Sequence, residues 1–251
     1  MENVSFDFTG KNILVTGATS GIGLEIAINV ARGGAKVFAV GRRQDELNKL
    51  AEKYSNVIPI ECDITDYLAV NDKIRYIVNQ HGKLDGFVGC AGISELIPLR
   101  VLDLERAKMI MEVNFWGNIN LLGLLAKRNI TNNNASFVLI SSVAAHCGVK
   151  GEFIYSASKA ALLISAKSLA KEISGRGQRI NTVSPGWVQD TEITDKAKDN
   201  FTDVVYKNLI STYPLGLGEK RDVSAVCLFL LSDAAKWITG ADFIVDGGHL
   251  A

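Results

Sequence analysis

The chain has 251 residues, 47% of them hydrophobic, and its 27 basic side chains balance its 27 acidic ones. This length is within the range that one α/β core can serve, and no linker, low-complexity tract or repeat indicates a second domain. The balanced charge argues against a nucleic acid or an acidic membrane as a partner.

The N-terminal residues and the cysteines bear on location and on metals. The first ten residues lack the apolar segment of a secretory signal, and no apolar run approaches the roughly 18 residues of a membrane span. The four cysteines are scattered, with no CxxC pair and no histidine at ligand spacing. We therefore expect no metal site and no disulfide framework, and we predict a cytoplasmic protein.

Short apolar runs alternate with longer helical patterns along the chain. The runs that predict strands are 12–17, 36–41, 57–63, 84–92, 136–142, 179–186 and 242–248. The patterns that predict helices are 23–35, 44–54, 66–82, 103–127 and 154–173. Strands that are apolar on both faces and joined by helices predict a parallel sheet covered on both sides. The expected fold is α/β: one doubly wound Rossmann domain over residues 1–251, with a seven-stranded parallel sheet, helices on both faces, and ligands beyond the carboxyl ends of the strands.

Three glycines, Gly17, Gly21 and Gly23, separate the first predicted strand from the first helix. Glycines allow a pyrophosphate to approach the backbone, and a helix N-terminus supplies N–H donors and a partial positive charge. An ordinary glycine-rich turn is the alternative. The position after the first strand of a βαβ unit favours a dinucleotide site.

The end of the second strand bears on the choice of cofactor. An acid at this place would bind the adenosine ribose of NAD, but the chain has Gly41 followed by Arg42 and Arg43. A guanidinium binds a 2′-phosphate through charge-assisted hydrogen bonds. We therefore predict NADP(H), with NAD(H) as the alternative, and expect Arg42 to make the contact ahead of Arg43 because it is nearer the strand end. The competing interpretation is a solvated arginine pair neutralised by Asp45 and Glu46.

Asp63 ends the third predicted strand. It could accept a hydrogen bond from the adenine amino group of a dinucleotide. An exposed aspartate that caps the next segment is the alternative, and the residues alone do not separate the two.

Tyr155 and Lys159 are four residues apart, so on a helix they face the same side. A free phenol has a pKa of about 10, which is high for an acid or base near neutrality, and a neighbouring ammonium is expected to lower it. Ser142, after the fifth strand, can donate a hydrogen bond to a substrate oxygen that gains negative charge. These groups suit hydride transfer to a carbonyl. A packed ring beside an extended lysine is the alternative for the pair by itself.

Seven segments together resemble the short-chain dehydrogenase/reductase family, and they occur in order over nearly the whole chain. They are TGATSGIG, CDITD, CAG, MEVNFWGN, SS…YSASK, SPGWV and GADFIVDGG. The VDGG ending is similar to the branch that contains 3-oxoacyl-carrier-protein reductases. The resemblance implies an NAD(P)-dependent oxidoreductase that interconverts a carbonyl and a secondary alcohol.

The same resemblance implies roles for individual residues. Tyr155 would be the catalytic acid/base, Lys159 would also hold the nicotinamide ribose, and Ser142 would orient the carbonyl. Asn114 would hold a water in a proton relay, although from the residues alone it reads as a weak helix former with a packing role. The implied cofactor-binding residues are Gly17, Thr19, Ser20, Gly21, Ile22, Gly23, Arg42, Arg43, Asp63, Ile64, Ala91, Gly92, Tyr155, Lys159, Pro185, Gly186, Val188 and Thr191.

Two positions depart from the family pattern. Cys90 stands where the family commonly has asparagine, and because contacts from that loop are expected to be largely backbone, we expect cofactor binding to survive. After SPGWV, Asp190 takes the usual spacing of a threonine that bonds the nicotinamide carboxamide, and Thr191 follows one residue later. Either the loop carries an extra residue and Thr191 is the ligand, or Asp190 takes its place; we predict Thr191.

Residues 191–218 carry an amphipathic, charged pattern that predicts a substrate lid of short helices. Around it, Ser94, Glu95, His146, Trp187 and residues 148–152 are expected to line the substrate pocket. His146 is interpreted as a hydrogen-bonded loop histidine, with a second proton carrier as the alternative. Sugars, acyl thioesters, steroids and small ketones all remain open as substrates.

The resemblance also implies a homodimer or homotetramer. The predicted helices 103–127 and 154–173 carry apolar residues on more than one face, among them Phe115, Trp116, Leu121 and Leu122. One face must cover the sheet, so the other is expected to meet a second subunit. The rival function is a protein of this fold that binds a dinucleotide as a structural or regulatory ligand without turnover, and the presence of Tyr155 and Lys159 favours the enzyme.

Overall fold

Parallel strands form the centre of the protein, and the computed structural model describes residues 6–198 and 201–251. The strands are β1 (Asn12–Thr16), β2 (Lys36–Gly41), β3 (Val57–Glu61), β4 (Leu84–Gly89), β5 (Thr131–Ile140), β6 (Arg179–Pro185) and β7 (Asp242–Val245). The helices are α1 (Gly21–Arg32), α2 (Gln44–Lys53), α3 (Tyr67–His81), α4 (Leu104–Met111), α5 (Gly117–Leu125), α6 (Phe153–Ile173), α7 (Glu192–Lys198), α8 (Asp203–Ser211) and α9 (Lys220–Leu231). The strands form a seven-stranded sheet in the order β3-β2-β1-β4-β5-β6-β7, parallel throughout. The predicted doubly wound parallel sheet is confirmed.

The sheet is buried on both faces, as the apolar strands require. In β1, Ile13 and Val15 pack into one hydrophobic cluster and Leu14 into the other, because successive side chains of a strand point to opposite faces. Helices α1, α2 and α9 cover the first face, and α3, α5 and α6 cover the second.

Two elements differ most from the prediction. The stretch expected as one helix over 103–127 contains a π-helical segment, Glu112–Trp116, between α4 and α5. Strand β5 begins at Thr131 rather than at 136, and its register with β4 shifts between Leu84 and Gly86. Because the first residues of β5 are polar and pair irregularly with β4, the pattern of apolar residues does not predict the early start of this strand.

The apolar residues named on the two predicted helices divide between the core and the surface. Leu121 and Leu122 are buried against the sheet, so they belong to the core of the subunit. The large exposed apolar side chains of α4, the π-helical segment and α6 are Leu104, Met109, Trp116, Phe153 and Ile164. Of the four residues named from the sequence, Trp116 is exposed, Phe115 is partly buried, and the two leucines are buried.

The segment predicted as a lid contains two short helices, α7 and α8, between β6 and α9; its residues 199 and 200 lie outside the described part of the chain. No helix within 6–198 or 201–251 combines the length and apolar character that crossing a membrane requires. Within the same residues, no group of three or more His, Cys, Asp or Glu side chains is arranged to hold a metal ion.

Candidate active site

The loops that follow strands β1 to β6 open onto one cleft of about 360 Å³ at the carboxyl end of the sheet. All of the residues predicted to bind the cofactor line this cleft, from loops widely separated in the sequence: Gly17, Thr19, Ser20, Gly21, Ile22, Gly23, Arg42, Arg43, Asp63, Ile64, Ala91, Gly92, Tyr155, Lys159, Pro185, Gly186, Val188 and Thr191. Ser142 lines it as well. The geometry brings these residues together, and their individual roles stay predictions.

The glycine-rich turn after β1 is packed too tightly to accept a side chain at Gly17 or at Gly23. Gly17 has a φ of 68°, and a Cβ there would lie 2.9 Å from the backbone nitrogen of Ala91. A Cβ on Gly23 would lie 2.3 Å from the carbonyl oxygen of Gly17. The turn leads into α1 at Ser20, whose side chain makes no capping hydrogen bond. Exposed backbone at a helix N-terminus is a suitable cradle for a pyrophosphate.

The end of β2 packs directly against that turn. A Cβ on Gly41 would lie 2.5 Å from Cγ2 of Thr19, so the absence of a side chain at 41 leaves room for the threonine. Thr19 Oγ1 in turn accepts hydrogen bonds from Nε and Nη2 of Arg43, at 3.2 and 2.9 Å. The guanidinium of Arg43 therefore lies over the glycine-rich turn, in a fixed orientation.

Arg42 is held less firmly than Arg43. Its Nη1 lies 3.8 Å from Oδ2 of Asp63, and 69% of its side chain is exposed. Oδ1 of Asp63 accepts hydrogen bonds from the backbone nitrogen and the hydroxyl of Thr65, at 2.9 and 2.8 Å. One carboxylate oxygen of Asp63 thus caps the next segment, and the other faces Arg42.

Tyr155 and Lys159 lie on successive turns of α6, and the backbone of β5 fixes the lysine. Lys159 Nζ donates to the carbonyl oxygen of Ile140 at 2.9 Å, and Ser141 Oγ donates to the carbonyl of Lys159 at 3.0 Å. The same Nζ lies 5.7 Å from the centre of the Tyr155 ring. A buried ammonium is therefore held beside the phenol by the end of the central sheet.

The pKa of Tyr155 moves in the direction opposite to the sequence-based expectation. Burial raises it to about 12, the carboxylate of Glu152 adds to the rise, and a hydrogen bond to Ser142 lowers it. Burial also lowers the pKa of Lys159 to about 8, because the charged form loses its hydration. The prediction of a lowered phenol pKa was wrong for the protein alone, since desolvation has the largest effect on both groups.

Ser142 follows β5 in an extended conformation and begins a short helical turn, Val143–Ala145. Its Oγ accepts a hydrogen bond from the backbone nitrogen of Ala144 at 3.2 Å. The same side chain is hydrogen-bonded to Tyr155. Two hydroxyl groups that can serve one substrate oxygen therefore meet at the wall of the cleft.

Asn114 is fully buried in the π-helical segment, behind the cleft. Its Oδ1 accepts from the backbone nitrogen of Ile93 at 2.8 Å. Its Nδ2 lies within donating distance of the carbonyl of Ile93, at 2.9 Å, and of Ser158 Oγ, at 3.0 Å. The side chain thus ties the loop after β4 to α6 near Tyr155, and π-helical segments often occur at functional sites. Its part in a water relay stays a prediction.

Comparison with known proteins places this arrangement in a family. The chain matches the family model described as "Enoyl-(Acyl carrier protein) reductase" over residues 17–249. It is 32% identical over 244 residues to 3-oxoacyl-[acyl-carrier-protein] reductase FabG of Thermotoga maritima, which covers 95% of this chain and 97% of that protein. The chain belongs to the short-chain dehydrogenase/reductase family. Its similarity to the 3-oxoacyl-carrier-protein reductases agrees with the branch that the sequence indicated.

Two further comparisons agree with this assignment. D-Threitol dehydrogenase of Mycolicibacterium smegmatis is 34% identical over 253 residues, which cover 98% of this chain and 96% of that protein. The crystal structure of a short-chain type dehydrogenase/reductase from Mycobacterium marinum has a TM-score of 0.89 and 28% identity, and the match covers 97% of each chain. The protein is an NAD(P)-dependent oxidoreductase of this family.

The loop after β6 bears on one departure of this short-chain dehydrogenase/reductase from its family pattern. Thr191 is buried and lines the cleft, and its Oγ1 lies 2.8 Å from Oγ1 of Thr194. Asp190 is exposed and has a φ of 56°, in the left-handed region. This geometry favours Thr191 over Asp190 as the residue that faces a cofactor.

Two glutamates of the enzyme were not singled out from the sequence. Glu152 precedes Tyr155 by one helical turn and sits at the start of α6, where burial raises the pKa of its carboxyl. Its spacing of three residues from Tyr155 could have indicated a charge near the phenol, because residues three apart on a helix are neighbours. Glu192, the first residue of α7, forms an ion pair with Arg43, and these residues are 149 positions apart. No local pattern predicts that contact.

Side chains expected around the substrate pocket fall into separate groups. His146 Nε2 lies 2.8 Å from Asp242 Oδ2 and 3.3 Å from Ser184 Oγ, which is the geometry of a hydrogen-bonded loop histidine. Glu95 forms an ion pair with Arg106. The ring of Trp187 lies 5.7 Å from that of Phe201 and 6.5 Å from that of Tyr206, so an aromatic cluster connects the loop after β6 with the lid segment.

Proposed function

We propose that the enzyme is an NADP(H)-dependent oxidoreductase that interconverts a carbonyl and a secondary alcohol, with Tyr155 as the acid/base. The observation that carries the proposal is that Ser142, Tyr155 and Lys159 line the same cleft as the glycine-rich turn. A proton donor, a hydrogen-bond donor for the substrate oxygen and a cation are thus brought together in one cleft.

The residues present fit a nicotinamide dinucleotide along the length of the cleft. The turn at Gly17 would hold the pyrophosphate, Arg43 and Asp63 the adenosine half, and Thr191 with Lys159 the nicotinamide half. When bound, the dinucleotide supplies hydride transfer to or from the substrate carbon.

Tyr155 performs the proton transfer at the substrate oxygen. Because burial raises its pKa to about 12, the phenol is protonated at neutral pH and suits the donor role of carbonyl reduction. Ser142 donates a second hydrogen bond to the oxygen that gains negative charge, which stabilises the transition state more than the ground state. Lys159, anchored on the carbonyl of Ile140, holds its positive charge beside the phenol.

The preference for NADP(H) is supported by two arginines and by the absence of a side chain at Gly41. The sequence ranked Arg42 ahead of Arg43. The fixed orientation of Arg43 over Thr19, against the exposed and loosely paired Arg42, supports Arg43 as the principal contact with a 2′-phosphate. An oriented donor loses less conformational entropy when it binds an anion.

The substrate pocket would be bounded by the aromatic cluster around Trp187, and the named relatives indicate two kinds of substrate. The two relatives act, by their names, on a 3-oxoacyl-[acyl-carrier-protein] and on D-threitol. The aromatic cluster around Trp187 would form one wall of a pocket for either kind of substrate. We propose that α7 and α8 act as the lid over this pocket.

We also propose a cytoplasmic location and a homodimer or homotetramer. The four cysteines are free thiols, which agrees with a cytoplasmic location. The exposed apolar side chains at Leu104, Met109, Trp116 and Ile164 support self-association.

The proposal is tested by following oxidation of NADPH and of NADH with 3-oxoacyl thioesters, ketoses and small ketones, beside the Tyr155→Phe variant. We expect turnover of at least one carbonyl class that is faster with NADPH and lost in the variant. Tight binding of NADPH without turnover of any class would support the rival function, a binding protein of this fold.

A further inference from the structure

A carboxylate of the lid segment occupies the part of the cleft assigned to cofactor phosphates. Glu192, the first residue of α7, forms an ion pair with Nη1 of Arg43. It is also hydrogen-bonded to the side chain of Ser20, at the N-terminus of α1. These interactions, with a smaller contribution from the positive charge of Lys196, lower the pKa of the Glu192 carboxyl. The carboxylate is therefore ionised at neutral pH, among groups suited to bind an anion.

The donors of Arg43 are largely committed. Nε and one N–H of Nη2 are directed at Thr19, and Nη1 is paired with Glu192. A phosphate that approaches this guanidinium must therefore share it with Glu192 or displace the carboxylate. Both side chains are about half exposed, 44% for Arg43 and 50% for Glu192. Exposed ion pairs of this kind are weak, so a phosphate can displace the carboxylate at a modest loss of affinity.

We propose that Glu192 is a specificity-determining residue: it competes with the cofactor 2′-phosphate for Arg43 and so limits the preference for NADP over NAD. The inference rests on the proposed function, because it takes Arg43 as the contact of the 2′-phosphate. NAD, which has a hydroxyl at that position, does not need the guanidinium, so its affinity depends less on the competition. Any effect of Glu192 on the shared pyrophosphate, through Ser20, applies to both cofactors and cancels in the ratio of their dissociation constants.

The test is the ratio of the dissociation constants of NAD⁺ and NADP⁺, measured by isothermal titration calorimetry on the full chain. We expect Glu192→Gln to raise this ratio about three- to tenfold, because the amide keeps the size of the side chain and removes its charge. Asp195→Asn is the matched control, since it removes one negative charge from the same short helix; Asp195 is exposed, and among the described residues it forms no ion pair with Arg43. The control should change the ratio by less than twofold.

A second arm places Glu192→Gln in an Arg43→Ala background, where it should leave the ratio unchanged because the shared partner is gone. An unchanged or reduced ratio in the single variant, an equal rise in the Asp195→Asn control, or a full effect without Arg43 would each overturn the inference. Failure of the wild type to bind either dinucleotide would instead contradict the proposed function.

Discussion

The ammonium of Lys159 lies 5.7 Å from the centre of the Tyr155 ring and donates a hydrogen bond of 2.9 Å to the carbonyl of Ile140. The end of a central strand thus fixes the cation, and the helix fixes the phenol relative to it. Because burial partly desolvates the phenol and desolvates the ammonium, their pKa values shift toward the neutral forms.

Replacement of Tyr155 by phenylalanine removes the phenolic hydroxyl and keeps the ring. We expect kcat to fall by about two to four orders of magnitude, the usual contribution of a positioned acid or base, while the fold and the dissociation constant for NADPH change little. Steady-state kinetics, circular dichroism and calorimetry measure the three quantities. A variant that keeps more than about a tenth of the wild-type kcat would remove Tyr155 from its assigned role.

Lys159 predicts a pH dependence of stability. Its pKa is about 8 in the folded protein and about 10.5 in an unfolded chain. Between these values the unfolded state binds more protons, so this group makes the free energy of unfolding rise with pH. We expect wild type to gain stability relative to Lys159→Met between pH 7.5 and 9.5, measured by urea denaturation at both pH values. A constant difference would show that the lysine titrates outside this window.

Glu152 predicts a shift in the pH profile. Its negative charge disfavours the phenolate and so raises the pKa of Tyr155. In alcohol oxidation, where Tyr155 acts as the base, we expect Glu152→Gln to move the rising limb of log(kcat/KM) toward lower pH. Glu172→Gln is the matched control, because Glu172 lies near the other end of α6 and is exposed. A shift of equal size in both variants would argue against a local effect of Glu152.

The two arginines after β2 should contribute unequally to the use of NADPH. We expect Arg43→Ala to raise the KM for NADPH about tenfold, the lower end of the range for a hydrogen bond to a charged group, with little change for NADH. Arg42→Ala should have the smaller effect, because its side chain is largely exposed. Initial rates at varied NADPH and NADH give both constants. A larger increase in the KM for NADPH with Arg42→Ala would support Arg42 as the principal contact, as the sequence suggested. If neither variant changes this KM, both arginines are solvated surface residues without a role in cofactor choice.

The exposed apolar side chains of α4, α6 and the π-helical segment predict self-association. We expect light scattering at micromolar concentration to give the mass of a dimer or tetramer, since burying Leu104, Met109 and Ile164 removes apolar area from water. Met109→Glu should shift the mass toward the monomer, and Leu68→Glu, an equally apolar but separate exposed site on α3, should not. A monomeric wild type would refute the prediction.

The sequence by itself determined the order of strands and helices and the residues brought to the cleft. The sheet follows from short-range rules: strands apolar on both faces predict a parallel sheet, and the ends of parallel strands meet at one edge. The glycines, the arginines, Ser142 and the Tyr155–Lys159 pair follow from residue type and spacing, whereas most of the other cleft residues were predicted from the resemblance to the family. The spacing of Tyr155 and Lys159 likewise determined that they share a helix face.

Only the tertiary structure decided the properties that depend on which distant segments surround a side chain. The direction of the Tyr155 pKa follows from burial, which no pair spacing reveals. The inward position of Leu121 and Leu122 follows from how α5 packs on the sheet. The pairing of Arg43 with Glu192 joins the start of α2 to the start of α7. Desolvation and contacts across the cleft arise when distant segments fold over one another, so they are set by the assembled fold rather than by any local stretch of sequence.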